Sequence, residues 1–234
     1  MKSTRHRKSR LARLGNRHTF RLGLLATACL GAIGTAAGAA QAVGTGGSGF
    51  SGVAVADDIS SSMANPVHQN GFDDSFAVHQ FGTSSTANLH NQAGAESVAC
   101  AADNPCRSVS ISFQIDTLAG TNVHINASNL GNAENVHCAG CQTLAAAYQF
   151  VVSTPAPFTL SPAAQSQLAA IHAQLNALSD STAPIADLQP QIDALAGQVT
   201  SILQTAAADA PAAPAAAAPM VRPTVTVHRT FNQN

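Results

Sequence analysis

Four cysteines carry most of the reactive chemistry available to this chain: Cys100, Cys106, Cys138 and Cys141. Their spacing is Cys-x5-Cys and, further on, Cys-x2-Cys, with His137 directly before the second pair. Three chemistries use such residues. Cysteines in an oxidising compartment pair as structural disulfides. A Cys-x-x-Cys at a helix start stabilises a thiolate and serves thiol–disulfide exchange. Thiolates and imidazoles bind zinc, and Cys100, Cys106, His137, Cys138 and Cys141 are the candidate ligands. The redox use of Cys138 and Cys141 wants a strand–motif–helix context, and no βαβ order surrounds them. Zinc knuckles usually repeat a tight spacing, which Cys-x5-Cys does not. Haem attachment needs a histidine after the pair, whereas His137 precedes it. Two disulfides are therefore the expectation, without metal or cofactor; a zinc-binding domain and a redox protein are the alternatives. All three connectivities stay open. Those that join the two halves close long loops, worth about 3–4 kcal/mol each in the chain-entropy account.

Other catalytic patterns are missing. There is no His-Glu-x-x-His, no Gly-x-Ser-x-Gly and no Gly-rich phosphate loop with lysine. No catalytic residue is assigned, and the chain is not expected to be an enzyme. The histidines are dispersed; His172, beside an apolar helical stripe, is expected to be a half-buried structural residue. Asp57-Asp58 and Asp73-Asp74 sit in Gly/Ser-rich sequence and are expected to be solvated.

The cysteines lie inside an internal duplication. The stretch Ala87–Ile115 reads as a longer copy of Ser128–Phe150. Asn88-Leu89-His90-Asn91 matches Asn129-Leu130-Gly131-Asn132. Ala95 to Cys100 matches Ala133 to Cys138, and Cys106 matches Cys141. Eight residues later come Gln114 and Gln149, preceded by Phe113 and Tyr148. These two glutamines are candidate structural polar residues, placed to hydrogen-bond across a pseudo-twofold. Residues 107–116 alternate Val109, Ile111, Phe113 and Ile115 with Ser108, Ser110, Ser112 and Gln114, which predicts a strand. The duplication assigns the same to Gln142–Ser153, although Leu144 to Ala147 alone favour helix. Ala127–Val136, with Leu130, Ala133 and Val136 at helical spacing, is expected to form a short helix.

Around this module, residues 43–86 open with a Gly/Ser spacer and hold no lasting period, so they are expected to be a loose arm. Ser161-Pro162 is an N-cap followed by proline, then Leu168, Ile171, Leu175 and Leu178 recur at helical steps. Ile185, Leu188, Ile192, Leu195, Val199 and Ile202 make a heptad-like, coiled-coil stripe that Pro190 should kink or delay. Two such stripes predict an antiparallel helical hairpin over 158–206. Residues 207–234 are Ala/Pro-rich and expected to be an unpacked tail, although Thr224–His228 alternate as a strand that adds to a sheet edge would.

The N-terminus sets the expected compartment. Eight of the eleven Lys and Arg lie between Lys2 and Arg21. An uncharged apolar run to about Ala37 and Ala40-Gln41-Ala42 follow, the pattern of a cleaved signal peptide over 1–42. A retained membrane anchor is the alternative, but the run is short for a span of about 20 residues. Beyond it, three arginines face twelve acidic residues, a formal charge of −9 with histidine neutral. That excludes nucleic acid as a partner and disfavours anionic membranes.

The run from Cys106-Arg107-Ser108-Val109 through Cys138-Ala139-Gly140-Cys141-Gln142-Thr143 to Gln149, followed by a helical pair, resembles an uncharacterised exported domain of actinobacteria. It is also similar to an extracytoplasmic segment of membrane-embedded peptide zinc metalloproteases. The resemblance covers about residues 96–205 and implies export, but no activity, because the protease motif is absent here. The expected protein is α+β: a duplicated four-cysteine, β-rich module (87–157) and a helical hairpin between flexible tails. It is read as a secreted, non-catalytic structural or protein-interaction domain at the cell surface. The expected partner is a cell-surface or envelope protein, with no membrane span after signal cleavage.

Overall fold

A computed structural model describes residues 52–212 and 222–234, and the structural statements below concern those residues. The leader, the Gly/Ser spacer and residues 213–221 of the Ala/Pro-rich stretch lie outside them. The chain is α+β, with six sheet-forming strands and two helices. In order these are β1 (Gly52–Ala64), β2 (Asn70–Val98), β3 (Arg107–Ala119), β4 (His124–Val136), β5 (Gln142–Thr154), α1 (Pro162–Asn176), α2 (Ile185–Ala208) and β6 (Thr224–Gln233).

Strand β2 runs for 29 residues and serves two layers. Its residues 84–98 pair in parallel with β1 on one side and β4 on the other. Its earlier residues pair in parallel with β3, which pairs in parallel with β5. The chain therefore winds three times from a first layer (β1, late β2, β4) to a second (early β2, β3, β5). Each turn lays a strand in register on the one before. Asn91 meets Asn129 thirty-eight residues on, and Gln114 meets Gln149 thirty-five residues on. Strand β6 adds antiparallel to β5, and Asn234 exchanges both backbone bonds with Thr143. Its Thr230 hydroxyl donates to the Asn129 carbonyl at 2.8 Å, and the Asn234 amide donates to that of Ala133 at 2.6 Å. Gly131 lies where these elements meet; a Cβ there would sit 3.1 Å from the Thr230 carbonyl and 3.2 Å from that of Ala145.

Several expectations are corrected by this winding. Residues 52–86 are not a loose arm: they form β1 and the first part of β2. The pattern is inverted, with Ala54, Ala56, Ser60, Ser62 and Ala64 buried and Val53, Val55, Ile59 and Met63 exposed, so the larger apolar residues do not mark the buried face. Residues 127–136 are strand β4 rather than a helix, because pairing with β2 outweighs the local spacing of Leu130, Ala133 and Val136. Residues 224–233 are a packed strand rather than part of a free tail. Ala95–Val98 do align with Ala133–Val136, but Asn88 and Asn91 lie opposite Asn126 and Asn129, three residues earlier than the duplication placed them.

The helices cover the outer face of the second layer. Ser161 caps α1, its Oγ accepting from the Ala164 amide, with Pro162 at the first position. Helix α2 runs through Pro190 in its second turn, where a missing amide costs a single hydrogen bond. Leu168, Ile171 and Leu175 of α1 and Leu188, Ile192, Val199 and Leu203 of α2 share one apolar cluster with the sheet residues Val109, Ile111, Phe113, Leu144, Tyr148 and Phe150. Tyr148 donates to Asp193 at 2.5 Å, and Arg229 holds the same carboxylate at 2.9 Å, tying α2 to β5 and β6. Each fully buried aliphatic or aromatic side chain here is worth about 1.5–3 kcal/mol.

Leu188 is fully buried in this cluster, whereas Leu130 is half exposed on the first layer. Leu188→Ala should cost about 2–5 kcal/mol and Leu130→Ala less than about 0.5 kcal/mol in urea denaturation. Equal losses would mean the helices do not cover this face.

Candidate site: a four-cysteine corner and a buried polar ladder

The four cysteines sit in the last two of the three connections that carry the chain from the first layer to the second, 99–106 and 137–141. Each connection leaves its strand through a residue of positive φ, Ala99 (58°) and His137 (49°), and Gly140 (72°) turns the second again. These residues follow Val98 and Val136, which are register partners, so the two turns stack. Backbone bonds hold the stack: Ala99 N–H to Val136 O at 2.9 Å, Ala139 N–H to Cys100 O at 3.1 Å, and Gln142 N–H to Cys106 O at 2.9 Å.

Cys100 and Cys106 pair at disulfide distance, with Cα atoms 5.9 Å apart, and Cys138 pairs with Cys141 at 5.7 Å. Of the three open connectivities, this is the one within each copy. Such short loops are worth about 2 kcal/mol each in the chain-entropy account, less than the long-loop alternatives. The sulfurs of Cys100, Cys138 and Cys141 lie within 4.8 Å of one another, a grouping that could hold a metal ion. The Cys106 amide donates to the Cys141 sulfur at 3.3 Å. Cys100, Cys106 and Cys141 are buried. His137 is not in this group; its role is conformational, at the left-handed turn residue.

Behind the corner, the inward faces of the two layers carry polar side chains. Small residues let the layers approach closely enough for these to bond across the gap. Ser60 bonds both Asp73 (2.8 Å) and Ser110 (2.7 Å), and Ser108 donates to Ser62 at 3.0 Å. Asn91 receives Ser112 at 2.6 Å and donates to Asn129 at 2.8 Å. Gln149 donates to Gln114 at 2.6 Å, and Gln114 donates to Asp58 at 2.6 Å. The two glutamines thus meet, but as translated residues of parallel strands rather than across a twofold. Asp58 also holds His79 at 2.7 Å.

Asp116, the register partner of His79, is fully buried and neither carboxylate oxygen has a hydrogen-bond partner. Burial raises its pKa to about 7, opposed by the charge of His79 and reinforced by that of Asp58. For His79, burial lowers the pKa, but the hydrogen bond and charge of Asp58 outweigh it and the net shift is upward. Asp74 is also raised, by burial, against its contact with His172 at 3.0 Å. His172, stacked on Phe76 with centroids 5.0 Å apart, joins α1 to β2 as a structural histidine.

Of the four aspartates expected to be solvated, only Asp57 is exposed. Asp58, Asp73 and Asp74 are engaged between elements. His79 and Asp116 did not stand out in the sequence, and Asp58, Asn91 and Asn129 were noted there without a role in the interior. For Asp116 the signal was there: it continues the inward period of Ser108, Ser110, Ser112 and Gln114.

The ladder bridges the two layers. Its acid–base groups face one another between the layers. A shallow groove of about 530 Å³ on the helices, lined by residues such as Gln167, Ile171, Gln174, Gly197 and Gln198, contains no carboxylate, histidine or cysteine. No family model, curated protein or solved structure matches the chain.

Two outcomes are expected. Asp116 binds a proton in the folded chain that the unfolded chain releases above its usual value of 3.8. Its contribution to stability is therefore complete below that value, declines as pH rises, and is gone above about 7. His79 acts with the same sign, its contribution present below its usual 6.5 and lost above it. Asp116→Asn should flatten the decline and raise stability at pH 8 by roughly 1–4 kcal/mol, measured by urea denaturation across pH. Wild-type and variant curves that run parallel would refute this. Separately, the chain isolated from an oxidising compartment without reductant should show four protons missing by intact mass and no alkylation at these cysteines, with peptide mapping yielding Cys100–Cys106 and Cys138–Cys141.

Proposed function

We propose that this chain is an exported, non-catalytic protein-interaction domain whose repeated unit is one two-layer coil. The helical pair backs the second layer, and two disulfides brace the corner where the coils turn. Export is supported by the basic, apolar and Ala-x-Ala pattern of residues 1–42 and by paired cysteines, which belong to oxidising compartments. A non-catalytic role is supported by the placement of the acid–base side chains between layers, bonded to one another.

The observation that carries the interaction reading is the outer face of β1. Val53, Val55, Ile59 and Met63 are 58–63% exposed in one row on a single strand. Scattered apolar residues on a surface need no explanation, but four large ones on one face of one strand, interrupted by Asp57 and Ser61, support a contact surface. Its open edge also suits strand addition by a protein partner. Asp73 restricts that edge at one place, accepting from the Ser61 amide at 2.7 Å, which leaves the earlier half of the strand as the accessible part. An envelope protein is the partner class that fits an exported chain of this charge.

The test is cell fractionation in an exporting host. Wild type should be retained with the envelope. Val55→Thr/Ile59→Thr should move into the medium several-fold more, with an unchanged melting temperature. Equal partition of both chains would remove the interaction reading, and failure of either chain to leave the cytoplasm would remove export.

A further inference from the structure

We infer that the cysteine corner is a zinc site once its disulfides are reduced, with the sulfurs of Cys100, Cys106, Cys138 and Cys141 as its four ligands. This rests on the same corner as the proposed function but adds a second state to it. Three of the sulfurs already lie within 4.8 Å of one another, and the fourth, that of Cys106, is bonded to Cys100. Four sulfurs from two turns, with no carboxylate in the group, form a soft donor set that selects zinc over calcium or magnesium.

The scaffold that gathers them does not depend on the S–S bonds. Ala99, Ala139 and Gln142 donate backbone hydrogen bonds between or beside the two turns. The strands on either side stay paired through β2–β4 and β3–β5. Breaking both disulfides therefore leaves the sulfurs close together, where reclosure or a metal can use them. The Cys106 amide, 3.3 Å from the Cys141 sulfur, favours a thiolate there, as N–H donors favour any anion.

The chemistry balances with a dithiol reductant. Two reductant molecules each pass two electrons and two protons to one disulfide, and each leaves as its own oxidised disulfide. The protein then carries four thiols. Zinc binds their sulfurs and releases the four protons to solvent, forming a tetrathiolate centre of net charge −2. An oxidant of the disulfide class reverses the sequence and expels zinc. The corner is thus a staple when oxidised and a metal clasp when reduced.

The test uses the full chain with its fifth cysteine, Cys29 in the leader, replaced (Cys29→Ser), so that only these four cysteines react. The chain is reduced with a dithiol, freed of reductant under argon, and titrated with Co²⁺ and with Zn²⁺ against a chromophoric chelator. One ion should bind per chain, with sulfur-to-cobalt charge-transfer absorption and tetrahedral ligand-field bands. Cys100→Ser and Cys141→Ser should each weaken zinc binding by at least about 100-fold. Far-UV circular dichroism follows folding in parallel, and recovery of structure on adding zinc to a reduced, unfolded chain also supports the site. The site is refuted if no thiolate–cobalt band forms, or if the reduced chain binds zinc no better than the same chain in urea. The as-isolated mass keeps the two ideas apart. Four alkylatable thiols with bound zinc would remove the disulfide reading and keep the site. Two disulfides with no zinc uptake after reduction would do the reverse.

Discussion

Parallel, in-register stacking of one coil on the next is the constraint from which the rest of this structure follows. Each strand finds its partner more than thirty residues away, at the same place in the preceding turn. Residue types therefore align in columns. Asp58 lies on Asn91 and Asn91 on Asn129; Gln114 lies on Gln149. Side chains in such columns can bond to one another, and here the amide columns do. The same stacking brings the turns together, so the four cysteines gather although the pairs are far apart in sequence. Closing these long loops costs entropy that only cooperative pairing along entire 13-residue strands offsets.

The second layer shows how two different interiors arise from one period of two. Strand β3 is buried on both faces almost throughout. Its Val, Ile and Phe face the helices, where burial of apolar area stabilises the chain. Its Ser, Gln and Asp face the first layer, where each polar group must find a partner or raise the energy of the folded state. Nearly all do. Asp116 is the ionisable exception, beside Thr117 Oγ1 and Gln149 Oε1, and its carboxyl meets the cost by holding its proton to about pH 7. Small residues dominate the inner face of the first layer, so the layers lie close enough for serine and asparagine to reach across. That closeness also pushes the larger apolar side chains of β1 outward, and they become the surface on which the interaction reading rests.

The cysteine corner stands at the end of both interiors. Within-turn pairing stabilises by only about 2 kcal/mol per bridge in the chain-entropy account, and backbone bonds already hold the turns in place. The corner is better understood as a local clasp on a scaffold that stacking creates. A clasp of that kind can change its chemical state without undoing the coils around it.

Much of this was legible in the residues themselves. The alternation from Val109 to Ile115 specified a strand. The match of Gln142–Ser153 to it overrode the local helical preference of Leu144–Ala147. The Ser161 cap, Pro162 and the apolar stripes from Leu168 to Val199 specified both helices, because these are signals within one turn or one face. Pairing choices were not legible. Residues 52–64 carry their apolar side chains outward, and 127–136 imitate a helical spacing, so only partners far along the chain identify them as strands. The cysteine types limited the chemistry to disulfide, metal or exchange. Which sulfurs meet, that His137 turns the chain instead of joining them, and that Asp58, His79 and Asp116 share one interior were decided by tertiary structure. Local sequence encodes which face of an element is apolar, but the register between distant coils depends on the summed pairing energy of whole strands, which no single residue carries.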